Sequence, residues 1–328
     1  MKRILTIAII LMVAIVANAE TLTWNAATSD YGTASNWSSI SGLSPTSVDE
    51  VRFDNGGTAT ISSGSHDANK FYMGRLAGKS GNLSMSGGSL TVATAGYIAS
   101  AGSTSGNLTM TGSSALTIDG NFQVGSRGVG TMSVGSLATV DTSILYISSI
   151  LNSQGTVDLA GTWEATKVLY SSSSAGTGRI NLNDGSLTLS GDFDADNASV
   201  SSRLSVNGSS GYFSAANFLG ASSTATLDFI ADAGGFTTLN MVNAIDINGA
   251  TLNIDLSSYS GALDVKLMDG DSLIGTFANV NITGGTGSES LVYDTANGNL
   301  VLVPEPATMG LFGLAGLMML LLRKHIWG

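Results

Sequence analysis

No cysteine occurs anywhere in this sequence, which removes disulfide frameworks, thiolate metal sites and cysteine nucleophiles in one step. Stability must therefore come from packing and hydrogen bonding. Histidine is almost as scarce. Of the two present, only His66 lies away from the extreme C-terminus, in a Ser-Gly-Ser-His-Asp stretch. One histidine cannot make a two-histidine metal site, and no Ser-His-Asp constellation is marked out by spacing; His66 reads as a solvated turn residue. Charge is sparse as well, at 11% of residues with a net value of −11. Setting aside the basic residues at the two ends, Lys2, Arg3, Arg323 and Lys324, leaves a body more acidic still. That balance argues against nucleic acid and anionic lipid surfaces as partners. Glycine is plentiful, with 42 in the chain, but none belongs to a phosphate-cradling loop or dinucleotide fingerprint, because no helix follows them.

What the chain has instead is repetition. Gly81-Asn82-Leu83-Ser84-Met85-Ser86-Gly87 returns as Gly106-Asn107-Leu108-Thr109-Met110-Thr111-Gly112, and again as Gly130-Thr131-Met132-Ser133-Val134. Counting back to Gly57 and forward through Gly155, Gly178 and Ser202, the starts lie 23 to 25 residues apart. A fixed period in this range marks a solenoid. Within a period the apolar residues alternate with polar ones, so the elements are strands: Leu83 with Met85, then Leu90 with Val92, then Tyr97-Ile98. Three short strands between Gly, Ser and Asn turns make one coil of a parallel β-helix, which buries its apolar face only by stacking on its neighbours. The regular apolar set also separates this Gly- and Ser-rich chain from a disordered one. The fold expected is all-β, a right-handed parallel β-helix of ~24-residue coils over residues 57–258, between β caps at 20–56 and 259–302. An inward ladder of Leu83, Leu108, Met132, Val157 and Ile180 is predicted. About nine coils at ~4.8 Å each give a rod of ~43 Å.

The caps carry their own signals. Thr21-Leu22-Thr23-Trp24-Asn25, then Asn36-Trp37-Ser38 and Val51-Arg52-Phe53-Asp54, resemble the start of autotransporter-like passenger repeats. Trp24 and Trp37 read as core packing at the open end of a stack rather than as a sugar platform. After Tyr259, the segments 263–267, 273–277 and 291–294 read as antiparallel, with Asn297-Gly298 as a hairpin turn before Asn299-Leu300-Val301-Leu302. Such a cap would cover an exposed strand edge. Met268-Asp269-Gly270-Asp271 through Phe277 resembles the closing segment of autotransporter-like and PEP-CTERM passengers.

Both ends of the chain read as addresses. Lys2-Arg3, the apolar run Ile4 to Val16 and Ala17-Asn18-Ala19 have the three parts of a signal peptide. Signal peptidase is expected to remove residues 1–19, so that the mature protein begins at Glu20. At the other end stand Val303-Pro304-Glu305-Pro306, an apolar run from Ala307 to Leu322 punctuated by Gly310, Gly313 and Gly316, and Arg323-Lys324. The prolines stop the preceding fold. At 1.5 Å per residue the run spans ~24 Å, a little short of a ~30 Å hydrocarbon core, with the basic pair snorkelling to a cytoplasmic interface. Over residues 303–328 this order resembles the PEP-CTERM sorting signal. The resemblance implies a C-terminal transmembrane sorting helix, an exosortase-type sorting enzyme as partner, and transient anchoring in the inner membrane. Release to the cell surface or beyond would follow, in a bacterium that makes exopolysaccharide.

Chemistry is harder to find. The best metal candidate is Asp192, Asp194 and Asp196, whose spacing suits Ca²⁺. Arg203, however, stands where an EF-hand needs its bidentate Glu, and Asn197 where it needs Gly, so these read as outward carboxylates on a strand. Asp264, Asp269 and Asp271 make a weaker case. A β-helix lyase or hydrolase would need clustered carboxylates beside basic residues, whereas Arg127, Lys167, Arg179 and Arg203 are scattered among outward Ser, Thr and Asn. The expectation is a non-enzymatic surface or matrix protein of a biofilm, touching exopolysaccharide, with no cofactor. The rival readings are a glycan-binding adhesin, which needs an outward aromatic row such as Tyr72, Tyr97 and Tyr146, and a polysaccharide-degrading enzyme.

Overall fold

The computed structural model describes residues 19–150, 152–170, 176–196, 200–287 and 289–304. The expected signal peptide and sorting helix therefore lie outside the described residues, except for Ala19, Val303 and Pro304. Among the described residues one turn of 3-10 helix, Ala34–Asn36, interrupts an otherwise all-strand chain, and no helix is long and apolar enough to cross a membrane.

The strands stack in register into a parallel β-helix. One short strand from each coil builds an 11-stranded sheet, and the remainder of each coil contributes to a 17-stranded sheet. Eleven rungs correspond to a stack ~48 Å long at the usual strand spacing. The inward ladder forms as the repeat predicts: Leu83, Leu108, Met132, Val157 and Ile180 face one another on successive strands, and all are buried. A second ladder, Met85, Met110, Val134 and Leu159, runs beside it.

The repeat glycine has a steric cause. Gly81, Gly106, Gly130 and Gly155 are stacked in one column, where each new strand passes against strand ends of the coils before it. A Cβ at Gly81 would sit 2.1 Å from the Phe53 carbonyl oxygen, and one at Gly155 would sit 2.2 Å from that of Val124. Only a residue without a side chain fits against the backbone at that distance.

The second and third strands of each coil are not always separate. Through the N-terminal coils they run together as one strand of nine or ten residues, as in Ser89–Ile98 and Ala115–Val124. The inward–outward alternation breaks midway, where Ala93 and Thr94 both face outward. From Ser186–Leu189 and Phe193–Asp194 onward the two pieces are distinct. A third column of ring packing follows from this geometry. Gly96 lies between Phe71 and Phe122 on the ladder, so the two rings meet edge-on at 5.9 Å across a missing side chain.

At both ends the parallel pairing extends further than the period alone indicates. Thr21–Thr23 pairs parallel with residues 50–52, and Thr28–Asp30 with residues 58–60, so the 20–56 segment already holds the first rung of the stack and begins the second. Of the segments expected to be antiparallel, 265–268 does pair so with residues 300–302, but 268–269 and 272–274 continue the parallel stack on residues 239–240 and 244–246. Single-strand alternation is the same in both arrangements, so only the partner strand fixes direction. The expected closing hairpin is present: Glu289–Asp294 pairs antiparallel with Asn299–Pro304, which also covers 265–268.

The N-terminal end is plugged by aromatic packing. Trp24 and Trp37 form an antiparallel bridge with ring centroids 5.0 Å apart, and the Trp37 indole N–H donates to the Tyr31 carbonyl at 2.8 Å. Both tryptophans are buried, the core role read from the sequence. Burial, with the charges of Asp67 and Asp49 nearby, pushes the Tyr31 phenol well above its ordinary range.

Candidate functional site

Two outward features stand out from the rod. The first is a single row on the 17-stranded sheet: Arg52, Tyr72, Tyr97, Gln123, Tyr146, Leu169 and Asp194 occupy successive rungs. The three tyrosines named as candidates for a glycan platform are thus brought into one line. Tyr72 and Tyr97 are stacked at 4.8 Å and 4°, and the Arg75 guanidinium lies 4.2 Å from the Tyr72 ring centroid. Glu50 holds both Arg52 and Arg75. Partial burial, then the Glu50 charge, raise the Tyr72 phenol above its usual value. Stacking and the guanidinium use ring faces of Tyr72, and the same stack takes one face of Tyr97, which a sugar would otherwise meet. Beside them Gln123 accepts hydrogen bonds from the hydroxyls of Ser126 and Ser149 at 2.7 and 2.9 Å.

The second feature is a groove along the turns that lead into the 11-stranded sheet. A cavity of about 680 Å³ is lined by residues of four successive turns, among them Lys79, Ser103, Thr104, Arg127 and Asn152. A further 390 Å³ recess continues past Asn152 to Ser153, Gln154 and Thr177. Ser103 and Asn152 hold left-handed backbone at φ 58° and 59°, where non-Gly residues are uncommon, so stacked tight turns shape the groove. Lys79 and Arg127 stand about two rungs apart, ~9.6 Å. Among the described residues neither pairs with a carboxylate. Sequence reading counted Arg127 as a scattered cation and passed over Lys79. The signal was available, since both fall within three residues ahead of a repeat glycine, in the same turn of the coil.

The acidic candidates are arranged differently from a metal site. The Lys167 ammonium sits 3.7 Å from Asp192 and 3.6 Å from Asp194, and Asn217 donates to Asp192 at 2.7 Å. Asp196 is outside that ion pair: its backbone N–H donates to Asp194 Oδ1 at 3.2 Å, and burial raises its pKa, with Asp194 and Asp246 adding to the effect. Among the described residues no group of three or more His, Cys, Asp or Glu side chains is placed to hold a metal ion. Asp228, buried, is held by Arg203 and by the Asn253 amide at 2.6 Å. His66 is not in a turn: it is the second residue of Ser65–Met73, in register with Leu90. Its ring packs edge-on against Tyr31 at 5.2 Å because the first rung lies directly beneath it.

Of the processing residues, Glu20 opens the first rung and Pro304 ends the last strand. Ala17, Glu305, Pro306, Arg323 and Lys324 lie outside the described residues. No curated protein and no solved structure matches the chain. A family profile does, over residues 302–324: the PEP-CTERM protein-sorting motif. The matched stretch takes in Pro304-Glu305-Pro306, the apolar run and Arg323-Lys324. The motif marks an exported protein that reaches the cell surface through a membrane-anchored sorting step and exosortase processing. The chain is a PEP-CTERM protein whose passenger is a parallel β-helix.

Proposed function

We propose that the mature protein is a non-enzymatic structural component of the cell surface or biofilm matrix, a rod whose turn groove contacts exopolysaccharide. Export begins with signal peptidase cleavage after Ala19 and ends with exosortase handling of the tail. The observation that carries this reading is the groove itself: long, lined with hydroxyls and backbone, and holding two cations that no described carboxylate pairs with, on an acidic protein. Such a surface favours an anionic glycan strand laid along the axis, with hydroxyl hydrogen bonds repeating rung by rung. The enzymatic alternative draws less support, because Asp192 and Asp194 share Lys167 and Asp228 is engaged by Arg203. The stacking of Tyr72 on Tyr97, with Arg75 on the Tyr72 ring, likewise weighs against an adhesin built on a row of free aromatic faces.

Co-sedimentation with acidic and neutral polysaccharides tests the reading. Binding is expected to the acidic polymer, to weaken with salt, and to fall in a Lys79→Gln/Arg127→Gln double variant. Equal binding to neutral polymer, or release of new reducing ends from either, would overturn it.

A further inference from the structure

At the N-terminal end the first rung begins on Glu20, and its environment is unusually complete. The backbone nitrogen of Glu20 donates to Asp49 Oδ1 at 2.8 Å, and its carbonyl accepts from the Glu50 amide at 2.9 Å. Its carboxylate takes the amides of Ile40 and Ser41 and the hydroxyl of Ser39, which hold it below its ordinary pKa against the opposing effect of desolvation. Asp49 is only 6% exposed. Its second oxygen accepts from the Thr46 amide and hydroxyl at 2.9 and 2.6 Å. Yet among the described residues no Lys, Arg or His forms an ion pair with it. A buried carboxylate met only by neutral donors is costly, because removing one charge from water is best offset by an opposite one.

The missing charge is one that the chain can supply. Hydrolysis of the Ala19–Glu20 peptide bond consumes one water, leaves a carboxylate on Ala19 and turns the Glu20 nitrogen from an amide into an ammonium. Ala19 is exposed, so in this structure the bond sits at the surface while the nitrogen faces inward. We propose that Asp49 is a socket for the α-ammonium of Glu20, so that removal of the leader completes the N-terminal cap of the β-helix. The contact, in which only the acceptor is charged, becomes one between opposite charges, at a position the fold has already fixed. A chain that retains its leader keeps Asp49 without a counter-charge and has a looser first rung. In the cell the proposal rests on cleavage after Ala19; the socket itself does not.

The test compares two chains ending at Gly328, one beginning at Glu20 and one retaining Ala19 ahead of it, each also made with Asp49→Asn. Hydrogen exchange is read at Thr21–Thr23 and residues 50–52. Exchange is expected to be about tenfold slower in the chain that begins at Glu20, and the difference is expected to vanish with Asp49→Asn. Acetylation of the Glu20 terminus keeps the length but removes the charge, and is expected to reproduce the faster exchange without relying on a substitution. Equal exchange in the two parent chains, or a difference that survives Asp49→Asn, would overturn the socket. N-terminal sequencing of the exported protein is a separate arm. A start at Glu20 supports the coupling to export, and a start elsewhere overturns that coupling and the cleavage reading together.

Discussion

Gly96 shows how a single absent side chain shapes this core. The inward column at that position reads Phe71, Gly96, Phe122, and a Cβ on Gly96 would fall 2.6 Å from the Phe71 ring. Gly96→Val is therefore expected to lower stability by about 1–3 kcal/mol through overpacking, seen as a lower urea midpoint. Gly102 is the matched control. A Cβ there would meet nothing within 4 Å, and its φ is ordinary, so Gly102→Ala is expected to be neutral or slightly stabilising. Equal losses at both would mean that glycine serves a general flexibility here and not space for rings. The repeat glycines at 81, 106, 130 and 155 were legible in the sequence because their recurrence is periodic. Gly96 was not, since it breaks the apolar column that periodicity searches for. Lys79 was missed for a related reason: a lone basic residue in a turn gains meaning only when the turn of another coil is laid beside it.

At the scale of strands and caps, direction was the property least visible in sequence. Alternation in 263–277 was readable, but the parallel continuation of the stack at 268–269 and 272–274 depends on residues 239–246, which lie a coil away. The closing hairpin was readable because its turn is local, at Asn297-Gly298. That hairpin also carries an acid sensitivity. Glu289 accepts from Thr286 and Gly287, and Asp294 from Asn297. The side-chain hydrogen bonds from Thr286 and Asn297, respectively, hold both carboxyl groups below their ordinary pKa values. A lowered folded pKa means stability that is present above the unfolded values, about 3.9 for Asp and 4.3 for Glu, and lost as pH falls through the folded ones. The C-terminal cap is therefore expected to loosen in acid before the central coils do. Pepsin at about pH 3 should cut first between residues 284 and 298; simultaneous cleavage in 80–170 would show that the cap has no acid-labile clasp of its own.

For the molecule as a whole, the consequence of stacking is that a coil can be removed and a fragment of a coil cannot. Each strand pairs with the equivalent strand of the coil before and the coil after, so stability is close to a sum over nearest neighbours. Deleting residues 105–128 would join Thr104 to Val129 and bring Ser80–Met85 against Val129–Val134. Gly81 would then face Gly130, and Leu83 would face Met132, a register that both strands already share with the strand removed. On the other sheet Tyr97 would meet Tyr146 and Ile98 would meet Ile147 in the same way. The loss is local: Phe122 no longer covers Gly96, and the smaller Leu145 takes its place. This chain is expected to fold, keep its β-sheet circular dichroism and unfold at a somewhat lower urea concentration. Deleting only residues 105–116 removes half of that length and sets the repeat glycine column against the wrong residues. The turn of residues 125–128 is then laid beside the strand Ser89–Ile98, and each later strand stands half a coil out of step with its neighbour. That chain is expected to aggregate or to lose cooperative unfolding. If the two deletions unfold alike, the coil is not the unit of this structure; if only the in-frame one folds, the period read from glycine and leucine spacing is also the period of its stability.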